Sequence, residues 1–289
     1  MASFYDQIEA NRRNTYLLVF AVFALVFGAV YAFSLIVFDG GMASFLVALC
    51  FSAFYIGITY FFADRVVLSM AGAKEADPRE NAYYKNTVEN IAIAAGMVAP
   101  KAFIIEDTGL NAFAVGKPGS SAVAVTTGLL AKLNRAELEG VVAHEVSNIK
   151  NYDSRLGALI VVMVGLIALL SELGLRSAFW GRRGSGRGGG GAMVLLIGLA
   201  IMVLAPIAAQ AVRLAISRQR EYLADATGAQ LTRYPEGLAP ALEKIKGNAN
   251  VARASDATAP LYIANPLSFS GFFSTHPPID ERIRRLRAM

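Results

Sequence analysis

Residues 141–153 have the sequence VVAHEVSNIKNYD, which predicts a helix that carries catalytic chemistry. Side chains four residues apart lie on one face of a helix, so two histidines at that spacing can hold one zinc ion. A glutamate directly after the first histidine can then accept a proton from a water molecule at the metal. His144 and Glu145 occupy the first two positions of this pattern, and Asn148 stands where the second histidine would be.

Asn148 changes what this pattern predicts. Its side chain offers a neutral amide oxygen, whereas zinc prefers imidazole, thiolate or carboxylate ligands. The sequence therefore describes a zinc site that lacks one ligand. Two explanations stay open: a natural site that has lost its metal, and a substitution that silences an otherwise active enzyme.

The composition is that of a membrane protein. The 289 residues are 55% hydrophobic and only 17% charged, which is too apolar for an ordinary soluble domain. The single cysteine excludes an intramolecular disulfide. The net charge of +5 is modest, and the basic residues lie beside apolar segments. This distribution favours membrane orientation and gives no reason to expect nucleic-acid binding.

Two uncharged apolar segments open the chain, at residues 15–38 and 42–63. Each is long enough to cross about 30 Å of hydrocarbon as a helix. The first exceeds the usual apolar core of a signal peptide and no cleavage site clearly follows it, so residues 1–65 are interpreted as a retained transmembrane hairpin. Arg12, Arg13 and Arg65 flank the hairpin on one side, which predicts that this side is cytoplasmic.

A second pair of apolar segments lies at residues 156–175 and 192–212, with a loop rich in glycine and arginine at 176–191. Their length and lack of charge favour membrane spans over core helices, although Glu172 interrupts the first. If all four segments span, the four arginines of the loop lie outside, which conflicts with the positive-inside rule. A partly inserted hairpin at 156–212 therefore remains an alternative.

The more polar stretches, residues 66–155 and 213–289, predict two parts of one protease domain. A helix is expected from Asp77 to about Met97, because Asp-Pro is a typical helix start. Strands are expected at 101–106, 111–116 and 121–126, followed by a helix that begins at Asn134 with a capping box to Glu137. Residues 280–289 predict a short basic helix, interpreted as solvent-facing and not as lipid-bound.

A second acidic pair supports a metal site. Glu221 and Asp225 are four residues apart and therefore share a helix face. Zinc sites of this kind often take a glutamate as third ligand, and an aspartate can accept a hydrogen bond from a ligand histidine. The alternative is an exposed acidic face paired with Arg218 and Arg220.

Taken together, these segments resemble the HtpX membrane metalloproteases, relatives of the CAAX prenyl proteases. The resemblance rests on the 141–153 helix, on residues 220–225 (REYLAD), and on residues 275–278 (THPP) before Arg282. It covers nearly the whole chain and implies an α-helical integral membrane protein with a mainly α, small-sheet zincin-like (gluzincin) protease domain. It further implies a zinc-dependent endopeptidase that is multi-pass in the bacterial inner membrane and faces the cytoplasm. Its substrates would be damaged or misfolded membrane proteins, as part of a stress response.

The resemblance also assigns roles to individual residues. His144 would be the first zinc ligand, Glu145 the general base, and Glu221 the third protein ligand. Asp225 would hold the ring of His144, and His276 would stabilise the oxyanion that forms during peptide attack.

The resemblance is less complete at Asn148. Asn148 replaces the family's second histidine ligand, so weak or absent zinc and an inactive or severely impaired chain are expected. Residues 111–114 correspond to a substrate-binding strand edge, and the resemblance gives Arg282 no role that can be specified. Because base, third ligand and oxyanion histidine are all retained, a silencing substitution is favoured over natural decay.

Two other classes of function stay open. One is a metal-free pseudoprotease that binds membrane proteins as a scaffold. The other is a transport or structural membrane protein, which the near absence of charge within the apolar segments disfavours. The sequence predicts contact with the lipid bilayer and gives no prediction of oligomeric state.

Overall fold

The computed structural model describes residues 41–162, 218–255, 258–267 and 276–289, together with isolated positions between 13 and 34. The predicted span at 15–38 lies largely outside these residues. So do the loop at 176–191, the segment at 192–212, and all of the 156–175 segment beyond residue 162. Two stretches, Asp64–Ala158 and Arg213–Met289, belong to one compact unit, and this unit contains every predicted site residue.

Helix α1, Gly41–Met70, contains the second predicted span. Within the described residues it is the one helix long and apolar enough to cross a membrane. Phe54 and Phe61 are 68% and 74% exposed, so its apolar surface is not buried in a protein core. The helix continues seven residues beyond the predicted span end at Ala63, because a helix does not have to stop where its apolar stretch stops.

The sheet has four strands in the order β1-β2-β4-β3. The strands are β1 (Lys74–Glu75), β2 (Lys101–Ile105), β3 (Ala112–Lys117) and β4 (Ser120–Thr126). Strand β2 is parallel to β4, whereas β3 is antiparallel to β4 and forms one edge of the sheet. The three predicted strands are therefore confirmed to within one residue at each end, and the two-residue strand β1 is an addition.

Helix α2, Ala82–Ala95, begins later than the sequence predicts. The expected start at Asp77 is wrong: residues 78–80 form a single turn, and the helix begins only after Asn81, whose backbone (φ −116°, ψ +27°) is not helical. The Asp77 carboxylate accepts a hydrogen bond from the Arg79 backbone N–H at 2.7 Å, a bond that a local turn and a helix cap both use. The helix ends at Gly96, whose φ of +68° is the left-handed conformation that glycine adopts without strain.

Two further helices follow the sheet: α3, Thr127–Lys132, and α4, Arg135–Lys150. The predicted capping box is present, with Asn134 Oδ1 accepting from Glu137 N at 3.0 Å and Glu137 Oε2 accepting from Asn134 N at 2.8 Å. Helix α4 contacts α2 and strands β3 and β4, and most of its side chains are buried. Residues 153–162 form another helix, which leads out of the described part.

The C-terminal part contributes helices α5 (Arg218–Thr232), α6 (Leu238–Ile245) and α7 (Ile279–Leu286). Helices α5 and α6 pack against α4, and the shared core includes Val142, Val146, Leu242 and Ile245. The prediction that the last helix is simply solvent-facing is wrong. Arg282, Ile283 and Leu286 are buried, because α7 packs against α5 and α6.

Candidate active site

Helix α4 places His144 and Glu145 in the interior, where both side chains are 1% exposed. The capping box fixes where α4 begins, and the apolar positions on either side of the pair hold the helix against the sheet and α6. Two ionisable side chains in such a position need polar partners, because burying a charge without one is costly. Those partners come from α5.

Asp225 holds one nitrogen of the His144 ring. Nδ1 lies 2.9 Å from Asp225 Oδ1, which is the distance of a hydrogen bond donated by Nδ1–H to a carboxylate. The other nitrogen, Nε2, has no hydrogen-bond partner and lies 3.7 Å from Glu221 Oε2, which is also buried without one. An aspartate behind a histidine, with an unpartnered Nε2 in front, is the arrangement that orients histidine ligands in metal sites.

Gly228 allows α5 to approach α4 closely enough for these contacts. A Cβ atom added there would lie 3.0 Å from the backbone nitrogen of His144 and 3.3 Å from its Cα. Glu221, Asp225 and Gly228 lie on one face of α5, since they are spaced four and three residues apart. The glycine therefore sets the distance between the two helices at the site.

Glu145 lies beside this pair. Burial raises the pKa of its carboxyl to about 7, and the charge of Glu221 acts in the same direction, whereas the charges of His144 and Arg282 act to lower it. Its Oε1 atom has no hydrogen-bond partner. A carboxylate with a pKa near neutrality and an unoccupied oxygen suits a general base.

Glu221 is ionised despite its surroundings. Burial acts to raise the pKa of its carboxyl, but the nearby His276, Arg282 and His144 side chains lower it to about 2. His276 is 5% exposed, and its Nδ1 lies 3.8 Å from Glu221 Oε2. The imidazole is thus a potential hydrogen-bond donor at the site, as the role of stabilising an oxyanion requires.

The donor set matches zinc in two positions. His144 Nε2 and Glu221 Oε2 are buried, unpartnered and close enough to share one ion. In the part of the chain that the structure describes, no group of three His, Cys, Asp or Glu side chains is placed to hold a metal. Asn148, half-buried and one helical turn after His144, stands at the position of the second histidine. The residues therefore fit zinc at two ligands and leave the third weak.

Arg282 is the residue for which the sequence suggested no role. Its side chain is fully buried, and its Nε and Nη2 donate to the two carboxylate oxygens of Asp225 at 2.8 and 2.7 Å. Nη1 donates to the backbone carbonyl of Ile263 at 2.7 Å and lies 3.6 Å from Glu221 Oε2. The pattern of α7 contains a signal for this residue, because Ile279, Ile283 and Leu286 share a helix face with Arg282.

The exposed acidic face that the sequence left as an alternative is excluded. Arg220 Nη1 binds Asp153 at 3.1 Å, so it does not pair with its own helix neighbours in the way that alternative needs. Glu221 and Asp225 instead face His144 and Arg282.

The edge strand β3 is partly occupied by the chain itself. Ile263 N donates to Ala112 O at 2.8 Å, and Tyr262 forms an antiparallel bridge to Phe113, against whose ring it packs at 5.1 Å. The side chain of Asn111 binds the carbonyl of Ala264 at 2.9 Å. Within the predicted edge at 111–114, the first three positions are therefore engaged by residues 262–264, and Ala114 is 3% exposed.

Comparisons with known proteins identify the family of the chain. Residues 78–289 match Peptidase family M48. The chain belongs to this family. A protein of Dictyoglomus thermophilum named Protease HtpX homolog is 47% identical over 291 residues, which covers 99% of this chain and 95% of that protein. A Protease HtpX homolog of Tropheryma whipplei is 45% identical, with coverage of 99% and 98%.

A solved structure shares the fold of this M48 peptidase. The crystal structure of S. mikatae Ste24p aligns with a TM-score of 0.50 at 18% identity, covering 96% of this chain and 66% of that longer one. The predicted HtpX resemblance is thus confirmed, as is membership of a metalloprotease family that is generally zinc-dependent.

Proposed function

We propose that this M48 peptidase is a zinc-dependent endopeptidase of membrane-protein quality control whose metal site is disabled by Asn148. The observation that carries the proposal is the buried pair of His144 Nε2 and Glu221 Oε2, 3.7 Å apart and without hydrogen-bond partners, with Asp225 behind the histidine. The likeness to proteins named Protease HtpX homolog supports the same activity.

The residues have separate roles in peptide hydrolysis. Zinc, when bound, supplies Lewis-acid polarisation of the scissile carbonyl and lowers the pKa of water. His144 and Glu221 would hold it, with Asn148 at the position of the second histidine. Glu145 accepts the proton of the attacking water on its unpartnered Oε1 and later returns it to the leaving amine. His276 donates a hydrogen bond to the oxygen on which negative charge develops.

Peptide binding follows from the edge strand. An extended substrate would add to β3 as an antiparallel strand at Ala114 and Gly116, since alternate residues of an edge strand direct their backbone groups outward. Residues 262–264 already continue the ladder on the other side of this position. This limits the paired stretch of substrate to a few residues, which suits a peptidase that accepts many unfolded sequences.

The protein would be multi-pass in the bacterial inner membrane, with the protease domain in the cytoplasm. Arg155 Nη1 binds both carboxylate oxygens of Asp64 at 3.0 and 3.2 Å, so the end of the second apolar segment lies beside the start of the third. Asp153 and Arg220 similarly join the start of the third segment to the helix that follows the fourth. Both ion pairs join residues of the protease unit that border the apolar segments.

Restoring a histidine at position 148 tests the function. The chain and its Asn148→His variant are purified in detergent, bound zinc is measured, and cleavage of an unfolded membrane protein is followed. We expect zinc and cleavage only in the variant, because two protein ligands and an amide hold zinc weakly. An Asn148→His/Glu145→Gln double variant should bind zinc without cutting, which excludes a contaminating protease. If Asn148→His binds no zinc, the ligand assignment is wrong.

A metal-free scaffold is the second candidate. It is favoured by the donor set, because in the part of the chain that the structure describes no three His, Cys, Asp or Glu side chains are placed to hold a metal. This alternative predicts that Asn148→His binds zinc but cleaves nothing, while both forms still bind unfolded membrane proteins.

A further inference from the structure

Arg282 lies behind the candidate metal ligands and touches no atom that would react. We propose that it is a positioning residue: it fixes the carboxylate of Asp225 and, through it, the His144 ring, so that Nε2 faces Glu221. The inference rests on the proposed function in one respect, because it takes His144 and Glu221 as the ligands. It assigns a task to a side chain for which neither the sequence pattern nor the proposed chemistry had one.

The first argument is the geometry of the ion pair. The guanidinium presents two parallel N–H groups to Asp225, with Nε–Oδ2 at 2.8 Å and Nη2–Oδ1 at 2.7 Å. This fork fixes the plane of the carboxylate as well as its position. Oδ1 then receives a second bond, from His144 Nδ1 at 2.9 Å. Asp225 Oδ1 therefore accepts hydrogen bonds from both Arg282 and His144, and the arginine fixes its position.

The second argument concerns which nitrogen of the His144 ring carries the proton. Arg282 Nη2 lies only 3.5 Å from His144 Nδ1, so an Nδ1 without a proton could accept a bond from the arginine directly. That state would put the proton on Nε2, where it would block a metal. Arg282 Nη2 donates to Asp225 Oδ1 at 2.7 Å, so it is not available to His144 Nδ1. The Asp225 carboxylate then accepts the Nδ1 proton.

The third argument is that Arg282 is itself held in place. It is fully buried, and its Nη1 donates to the carbonyl of Ile263 at 2.7 Å. Ile263 in turn donates its backbone N–H to Ala112 on the edge strand β3. The arginine is thus anchored to the sheet on one side and to the ligand helix on the other, so its fork cannot rotate away from Asp225.

The two histidines of the chain make the test direct, since ¹⁵N-histidine labelling gives signals from His144 and His276 alone. The Asn148→His variant is avoided here, so that no third histidine is added. In the unmodified chain in detergent we expect the His144 Nδ1 proton to be visible as a hydrogen-bonded, slowly exchanging signal. A His276→Gln variant assigns it. In Arg282→Gln we expect that signal to shift strongly or to vanish by exchange with water.

Two companion variants keep the outcome decisive. Arg284→Gln alters an exposed arginine on the same helix and should leave the His144 signal unchanged. Arg282→Lys keeps the charge but cannot form the fork, so it should resemble Arg282→Gln. The proposal is overturned if a folded Arg282→Gln or Arg282→Lys chain retains the His144 signal of the unmodified protein. It is equally overturned if Nδ1 of His144 carries no proton in the unmodified chain, a result that needs no variant to fold. None of these readouts depends on cleavage, so they separate this inference from the proposed activity.

Discussion

Gly228 lies where helix α5 crosses the backbone of α4 at His144, and its replacement by alanine tests whether helix spacing sets the metal site. The added Cβ would lie 3.0 Å from His144 N, whereas ordinary contact begins at 3.4 Å, so the helices must separate by 0.4 Å. If that separation is taken up fully by the bond from His144 to Asp225, its 2.9 Å becomes about 3.3 Å, beyond the usual hydrogen-bond range.

Two opposing contributions determine how Gly228→Ala changes the free energy of unfolding. Overpacking at a tight contact costs about 1–3 kcal/mol, and alanine gains about 1 kcal/mol over glycine in helix propensity. Stability should therefore change little, by about 0–2 kcal/mol. Metal affinity should fall by roughly 10–100-fold, the usual consequence of disturbing the group behind a ligand histidine. The unequal effects on stability and affinity distinguish displacement of the ligands from general unfolding.

The assay compares zinc dissociation constants by chelator competition, in the Asn148→His background where zinc is expected to bind. The apparent melting temperature is measured without metal on the same preparations. Gln230→Ala, an exposed change on the same helix, serves as the control and should affect neither quantity. Unchanged zinc affinity in Gly228→Ala would refute the reasoning, because it would show that the site tolerates the displacement.

Two further predictions concern stability. Because burial raises the pKa of Glu145 to about 7 from 4.5, the folded chain holds that proton between these values while the unfolded chain does not, so stability should fall as pH rises from 5 to 7. The loss is on the order of 3 kcal/mol. The melting temperature of the metal-free chain should fall with rising pH, and this fall should be smaller in Glu145→Gln but unchanged in the exposed Glu243→Gln. An equal fall in the unmodified chain and in Glu145→Gln would contradict the assignment. Asn134→Ala should destabilise the chain by about 1 kcal/mol by removing the helix cap at Glu137 N. Asn134→Asp, which can still cap, should retain most of that stability in thermal unfolding, and equal losses in both variants would argue against capping.

Much of the site follows from local pattern. The four-residue spacing of His144 and Asn148, and that of Glu221 and Asp225, determines which side chains share a helix face. The capping box at Asn134 and Glu137 determines where α4 begins, and both of its hydrogen bonds are present. Each of these relations involves residues within one or two helical turns, so the sequence contains all the information they require.

The remaining features depend on contacts between distant segments. Arg282 is 57 residues from Asp225, and residues 262–264 pair with β3 about 150 residues earlier. Asp77 shows that even a local pattern can be ambiguous, because a helix start and a turn use the same side-chain hydrogen bond. The sequence by itself thus determined the helix faces, the strands and the chemical identity of the candidate ligands. Only the tertiary structure decided that one of several arginines on a basic helix is buried against Asp225, because burial depends on which surfaces meet.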